Sequence, residues 1–152
     1  MKTSLRIAVA EDEPELIADL EEILQELGHQ VVISVGDGAS LLKEFQETQV
    51  DLVITDIKMP VMDGLTAIEQ IRSIRPVPVI ILSAFHDEEL LNRALKEHVM
   101  AYLVKPIQIQ TLQMSIELAM QRFREFLALQ AEADNLKHAL EDRKIIERAK
   151  GI

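Results

Sequence analysis

The chain has 152 residues, 48% of them hydrophobic, which suffices for one domain with an appendage and excludes a wholly disordered protein. No apolar run approaches the roughly 20 residues of a membrane-spanning helix, and the lack of cysteine excludes disulfides and thiolate metal sites, so we expect a cytoplasmic protein without membrane contact. The net charge of −10 lies entirely in residues 1–106, with 9 Lys+Arg against 19 Asp+Glu, an excess that disfavours nucleic-acid binding there.

Short β-branched runs alternate with helical patterns through the first 106 residues. The predicted strands are Leu5–Ala10, Val31–Val35, Asp51–Thr55, Val77–Leu82 and Ala101–Val104. Apolar residues at three- and four-residue steps predict the helices between them, from Pro14 to a stop at Gly28, then Ala39–Glu47, Gly64–Ser73 and Asp87–Glu97. This alternation predicts right-handed crossovers and a parallel sheet covered on both faces.

From Ile107 onward the pattern is only helical, with 7 Lys+Arg and 7 Asp+Glu. Two offset apolar seams are visible, one of Leu112, Ile116, Ala119, Phe123 and Phe126, the other of Leu129, Ala133, Leu136 and Leu140. The shift between them predicts a stutter or a short break between two helices. The seams also predict a coiled-coil partner, with a homodimer as one candidate.

Acidic side chains follow two of the predicted strands. Glu11 and Asp12 come after the first strand and Asp56 after the third. Carboxyl ends of parallel strands share one edge, so these carboxylates should converge, and an ion with all-oxygen ligation, Mg²⁺ or Mn²⁺, would relieve their repulsion. Ser83 after the fourth strand and Lys105 after the fifth add a hydroxyl and an ammonium, a set that can bind a phosphoryl group.

Each of these residues also has a commonplace interpretation. Asp12 or Ser83 could cap the helix that follows it, and Lys105 could be a solvated surface charge. The joint occurrence of all of them at four strand ends favours the functional interpretation.

Residues 5–106 resemble the receiver domain of two-component response regulators, and residues 57–64, Ile-Lys-Met-Pro-Val-Met-Asp-Gly, match the family's Met-Pro-x-Met-Asp-Gly loop. The resemblance implies a flavodoxin-like, doubly wound five-stranded parallel α/β sheet in the order 2-1-3-4-5. The receiver domain would cover residues 1–124, with its core in 5–106 and a helical or coiled-coil extension after it.

The resemblance also implies residue roles. Asp56 would be the phosphoacceptor, assisted by Ser83 and Lys105. Glu11, Asp12, Asp56 and the backbone carbonyl of Lys58 would hold the metal. The Lys105–Pro106 peptide would be cis.

Three further positions match residues that tune or transmit the signal. Tyr102 would be the aromatic switch residue, moving together with Ser83. Lys58, through its side chain, and Ala84 would tune the phosphoryl site, and we hypothesise that Lys58 shields the acyl phosphate from water. The partner would be a sensor histidine kinase or phosphotransfer protein, and the chain would be no enzyme beyond assisting its own phosphorylation and dephosphorylation.

Residues 136–152 resemble the opening of an ANTAR domain, an RNA-binding antiterminator module, through the run Leu-x-x-Arg-x-x-Ile-x-x-Ala-Lys-Gly. Residues 125–152 are therefore interpreted as a helical linker and a truncated start of an ANTAR-like output domain. RNA would be a partner only where a complete ANTAR domain is present.

Other classes fit less well. An aspartyl-phosphate phosphatase would carry a second Asp where Lys58 stands, and a flavodoxin-like cofactor binder needs a hydroxyl-rich loop where Glu11, Asp12 and Glu13 stand. The remaining alternative is a stand-alone or pseudo-receiver scaffold that dimerises through its coiled-coil tail.

Overall fold

The computed structural model describes residues 4–84, 88–96 and 99–150, and it contains a five-stranded parallel sheet in the order β2-β1-β3-β4-β5. The strands are β1 (Arg6–Ala10), β2 (Gln30–Val35), β3 (Leu52–Asp56), β4 (Val79–Ser83) and β5 (Ala101–Val104). The helices are α1 (Pro14–Glu26), α2 (Gly38–Glu47), α3 (Gly64–Ile74), α4 (Glu88–Lys96) and α5 (Ile109–Lys150). The predicted fold class is confirmed.

The largest difference from the predicted strand bounds is in β4. This strand begins at Val79 rather than Val77 because Pro78 has no amide hydrogen to donate to a ladder, although its carbonyl accepts a hydrogen bond from Val53 at 3.0 Å. The predicted ends of the fourth helix, Asp87 and Glu97, lie outside the described residues, as do Gly151 and Ile152 of the tail motif.

Helix α5 runs through the position where the seams shift, so the predicted short break was wrong and the stutter is the interpretation that fits. Residues 126–129, Phe-Leu-Ala-Leu, contain neither Gly nor Pro, so the backbone has no local reason to leave the helix. The chain divides into two compact units, residues 1–120 and 121–152, and α5 begins in the first and forms the second. Within the described residues no helix is long and apolar enough to cross a membrane.

Buried residues cover both faces of the sheet in the first unit. One cluster, which includes Phe45, Val53, Ile68 and Ile81, packs under α2 and α3. The other includes Leu20, Ile54, Leu82 and Leu112 and packs under α1 and the start of α5. Strands β3 and β4 are buried at every residue, as expected for the centre of a doubly covered parallel sheet.

The strand register brings the predicted functional positions to one edge. Thr55 pairs with Ala10, Asp56 with Leu82, and Ser83 with Val104. Glu11, which follows β1 directly, donates its backbone N–H to Val35 O at 2.9 Å. The carboxyl ends of β1, β3, β4 and β5 therefore lie at nearly the same level of the sheet.

The loop between β3 and α3 is fixed by backbone contacts. Gly38 donates its N–H to Met62 O at 2.9 Å, and Gly64 donates to Ile57 O at 2.8 Å. A Cβ at Gly38 would lie 2.5 Å from Met62 O and 2.8 Å from Asp63 O, and a Cβ at Gly64 would collide with Asp56 O. The start of α2 and the loop after Asp56 therefore lie so close together that only glycine fits at these two positions.

We expect Gly38→Ala to destabilise the protein by about 1–3 kcal/mol, because the added methyl group meets rigid backbone carbonyls. Gly36→Ala is the matched control, since a Cβ there would find its nearest neighbour at an ordinary 3.8 Å. Urea unfolding of both variants checks this, and equal stability of the two would contradict the close approach.

Val61, at the tip of the same loop, has φ = 69° and a side chain that is 86% exposed. Met62 N donates to Pro60 O at 2.8 Å, which closes a three-residue turn around it. A β-branched residue at positive φ is strained by about 1–3 kcal/mol.

We therefore expect Val61→Gly to raise the free energy of unfolding by about 0.5–1 kcal/mol, the strain relief being partly offset by backbone entropy. The same urea titration measures it, and a loss of stability would show that the turn is not strained.

Candidate phosphoryl and metal site

Three carboxylates meet at the carboxyl edge of the sheet. One oxygen each from Glu11, Asp12 and Asp56 can be chosen so that all three lie within 4.8 Å of one another. Glu11 is 2% and Asp56 7% exposed, whereas Asp12 is exposed. Two of the three carboxylates therefore belong to buried residues, and the third belongs to a residue exposed to solvent.

Lys105 supplies the positive charge nearest these acids. Its Nζ donates to Asp56 Oδ2 at 2.9 Å and lies 3.0 Å from Glu11 Oε2. Its backbone N–H donates to Ser83 O at 2.8 Å, and the peptide to Pro106 is cis, as predicted. The lysine thus bridges two carboxylates from different strands.

Asp56 is held by the backbone as well as by Lys105. Its Oδ1 accepts a hydrogen bond from Ile57 N at 2.7 Å, and Thr55 Oγ1 donates to Asp56 O at 2.9 Å. Because both carboxylate oxygens have a directed partner, the side chain is fixed at the strand end with Asp12 beside it.

The protonation of Glu11 reflects this crowding. Burial raises the pKa of its carboxyl from 4.5 to about 7, and the charge of Asp56 adds to the rise, while Lys105 and the Glu13 amide oppose it. Burial alone would lower the pKa of Lys105, but its contacts with Asp56 and Glu11 outweigh burial and raise it. Burial and the neighbouring Asp56 therefore outweigh the effect of Lys105 on Glu11.

The residues fit a hard divalent cation. Glu11 Oε2 is buried, and its one positively charged neighbour among the described residues is Lys105 Nζ at 3.0 Å, an ion-pair contact that leaves it without a hydrogen bond of regular geometry. An oxygen ligand set with one open side suits Mg²⁺ or Mn²⁺, which keep several waters. Such an ion would favour the charged form of Glu11.

Ser83 and Tyr102 share one face of the sheet. Tyr102 pairs with Ile81 across the β4–β5 ladder, and Ser83 lies two residues beyond Ile81, so alternation turns both toward the same side. Ser83 is buried, and Tyr102 is half-buried against the cluster under α2 and α3.

The commonplace interpretations of Asp12 and Lys105 do not hold. Glu13, rather than Asp12, precedes the first residue of α1. Lys105 is not a solvated surface charge, since its side chain is only 13% exposed.

Two other predicted residues lie at the margin of the site. Lys58 is exposed in the loop after β3, and Ala84 is exposed directly after β4. Gly38 and Gly64 were not predicted to shape the site. The missing side chain of Gly64 lets the loop pass Asp56, and that of Gly38 leaves room for the carbonyls of Met62 and Asp63. The Met-Asp-Gly match marks Gly64, but no motif in the sequence marks Gly38, which lies 26 positions earlier.

Comparisons with known proteins agree with this geometry. Residues 7–117 match the response regulator receiver domain family. The transcriptional regulatory protein PdtaR of Mycobacterium tuberculosis is 45% identical over 147 residues, which are 97% of this chain and 72% of that protein. The transcriptional regulatory protein ZraR of Salmonella typhimurium is 30% identical over 126 residues, 82% of this chain and 28% of that protein.

Among solved structures, a response regulator receiver domain protein from Clostridium thermocellum superposes with a TM-score of 0.73 at 31% identity, covering 80% of this chain and 98% of that one. Sheet order, strand-end acids and sequence similarity over most of the chain lead to the same assignment: this protein belongs to the response regulator receiver domain family of two-component signalling.

Proposed function

We propose that the protein accepts a phosphoryl group on Asp56 from a sensor histidine kinase or phosphotransfer protein. The observation that carries the proposal is the Asp56 carboxylate, fixed by Ile57 N and Lys105 Nζ and lying within 4.8 Å of the oxygens of Glu11 and Asp12. Such a group is a positioned nucleophile beside two further carboxylates and a cation.

In the transfer step an Asp56 oxygen attacks the phosphorus of a donor phosphohistidine. A P–O bond to Asp56 forms while the P–N bond to the imidazole breaks, and the ring leaves with the electron pair of that bond. Phosphoryl transfer depends mainly on positioning and charge neutralisation, so Lys105 and Ser83 would need only to contact the transferred oxygens. The same groups would assist dephosphorylation, and we propose no other enzymatic activity.

Glu11, Asp12, Asp56 and the backbone carbonyl of Lys58 would hold Mg²⁺ or Mn²⁺. The ion would neutralise negative charge on the transferring group. The protein would supply these oxygen ligands, and the exposed Asp12 would leave the ion accessible to water.

The switch would pass through Ser83 and Tyr102. A phosphoryl group on Asp56 would attract the Ser83 hydroxyl, and Tyr102, on the same face of the sheet, could move toward the space left behind. This would shift a two-state equilibrium of the surface formed by α4, β5 and the start of α5.

A groove beside the site suits the phosphodonor. A cavity of about 250 Å³ is lined by Leu16, Asp19, Leu20, Glu22, Ile23, Pro106 and Ile107. Pro106 directly follows Lys105, so a partner helix with apolar and basic residues seated there would stand beside the backbone of Lys105.

The output we propose is RNA-binding transcription antitermination in the cytoplasm. The similarity to a transcriptional regulatory protein covers 97% of the chain and so extends into the ANTAR-like segment. RNA binding would require a complete ANTAR domain. We also propose homodimerisation through α5, supported by exposed leucines at positions 129, 136 and 140.

Intact mass spectrometry after incubation with acetyl phosphate and Mg²⁺ tests the phosphoacceptor. We expect the wild-type protein to gain the mass of one phosphoryl group. EDTA in the incubation should prevent this gain, and Asp56→Asn should not show it. An equal mass gain in Asp56→Asn would show that a residue other than Asp56 accepts the phosphoryl group. No gain in the wild type would favour the pseudo-receiver scaffold.

We expect Lys58→Ala to accelerate dephosphorylation by up to about tenfold, which corresponds to about 1.4 kcal/mol in the barrier, because water would reach the acyl phosphate more easily. Lys43→Ala, which removes another exposed lysine from α2, is the control. Loss of the phosphorylated mass with time gives the rate, and an unchanged rate for Lys58→Ala would refute shielding.

A further inference from the structure

One hydroxyl group is buried among the apolar residues of β3. Thr55 and the three residues before it, 52–54, are all fully buried. Thr55 pairs with Ala10 in β1 and with Ile81 in β4, so its neighbours across both ladders are apolar. Burying a hydroxyl is unfavourable unless it forms a hydrogen bond, and valine would fill nearly the same volume without needing a partner. The presence of threonine at this position therefore depends on what its hydroxyl contacts.

The hydroxyl of Thr55 contacts the peptide unit between Asp56 and Ile57. Thr55 Oγ1 donates to the carbonyl of this unit, Asp56 O, at 2.9 Å. The N–H of the same unit, from Ile57, donates to Asp56 Oδ1 at 2.7 Å. Because a peptide unit is planar, its carbonyl and its N–H turn together. Thr55 therefore holds one end of the unit whose other end holds the carboxylate.

Gly64, the first residue of α3, packs against the same peptide unit. A Cβ at Gly64 would collide with Asp56 O and would lie 3.1 Å from Thr55 Oγ1, so both oxygens lie directly beside the start of the helix. The N–H of Gly64 donates to Ile57 O at 2.8 Å rather than to Asp56 O. Contact with Gly64 thus limits the space for the Asp56 carbonyl, whereas the hydrogen bond from Thr55 gives that carbonyl a direction.

The second oxygen of the Asp56 carboxylate is held by a more flexible group. Asp56 Oδ2 accepts a hydrogen bond at 2.9 Å from Lys105 Nζ, which stands at the end of a long side chain with rotatable donors. In the proposed transfer Lys105 would also contact the phosphoryl oxygens, so its contact with Oδ2 would change during the reaction. The N–H of Ile57 belongs to the backbone and would keep its place. The orientation of the nucleophile would then depend on the Asp56–Ile57 peptide unit.

We propose that Thr55 is a positioning residue for phosphoryl transfer. Its hydroxyl fixes the Asp56–Ile57 peptide unit, and the N–H of Ile57 then holds the Asp56 carboxylate in the orientation for attack on phosphorus. This inference rests on the proposed phosphorylation of Asp56 and deepens it. Thr55 touches no reacting atom, so its loss should slow the attack while leaving in place the groups that contact the phosphoryl oxygens.

Two substitutions separate the hydroxyl of Thr55 from the rest of its side chain. Thr55→Val keeps the branched shape and removes the hydrogen bond, whereas Thr55→Ser keeps the hydroxyl and removes a buried methyl group. With acetyl phosphate and Mg²⁺, we expect the full-length Thr55→Val protein to be phosphorylated about 3–10-fold more slowly than the wild type, since small errors of orientation are costly. Thr55→Ser should stay close to the wild-type rate. Intact mass followed with time gives the rates, and urea unfolding shows that each variant is folded.

The amide proton signal of Ile57 in an NMR spectrum reports the geometry without any phosphorylation. In the wild type this signal should lie downfield, because the N–H donates to a carboxylate. Thr55→Val should move the signal upfield, and Thr55→Ser should leave it in place. The amide of Ser40, which donates to Asp37 Oδ1 at 2.7 Å in the first turn of α2, is the matched control and should keep its shift in all three proteins.

Two results would overturn the positioning role. A wild-type phosphorylation rate in Thr55→Val would show that the hydroxyl is dispensable, and a greater loss of rate in Thr55→Ser than in Thr55→Val would show that the side chain acts by packing. Absence of phosphorylation in the wild type would instead contradict the proposed function. The Ile57 signal would then decide alone, since an unchanged signal in Thr55→Val would refute the control of the carboxylate by Thr55 and an upfield shift would support it.

Discussion

The repulsion among three carboxylates at one edge of the sheet is the constraint on which the arrangement of the first unit depends. Glu11, Asp12 and Asp56 bring oxygens within 4.8 Å of one another, and Lys105 supplies one positive charge in contact with two of these three carboxylates. A folded chain that keeps such a cluster needs rigid surroundings, because any freedom would let the acids separate. The parallel sheet provides this rigidity, since its register fixes the ends of β1, β3 and β5 through backbone hydrogen bonds.

The rigid arrangement also constrains the backbone of the loop after Asp56. Its path is set by Gly64, which has no room for a Cβ beside Asp56 O, and by Gly38, which accommodates the carbonyls of Met62 and Asp63. Within the same loop Val61 takes a positive φ that is unfavourable for its side chain. The loop beside Asp56 therefore departs from the backbone conformation that Val61 prefers, because the positions of Gly38 and Gly64 determine its path.

The sequence allowed the sheet, its strands and the convergence of the acids to be predicted, because hydrophobic periodicity and the shared edge of parallel strands are local or topological properties. It did not reveal that Lys105 lies between Asp56 and Glu11, because side-chain geometry depends on how β5 pairs with β4, which separates it from β3. The contact between Gly38 and Met62 was equally hidden, since nothing near Gly38 marks a partner 24 residues away. The seam shift in α5 was expected to be either a stutter or a short break, because a seam records which side of a helix is covered and not whether the backbone continues.

The distribution of charge separates two tasks along the chain. Residues 1–106 hold the acids that would bind a cation and a basic phosphodonor surface, and their excess of ten negative charges keeps copies of this unit apart. Salt screens such repulsion beyond about 10 Å at 0.1 M ionic strength, so the acidic surfaces oppose direct contact more than they oppose an approach through a neutral segment. Residues 107–152 are neutral, and the proposed contact between two copies would lie there. Phosphorylation of Asp56, as proposed, would alter the charge of each first unit and therefore the repulsion between two copies.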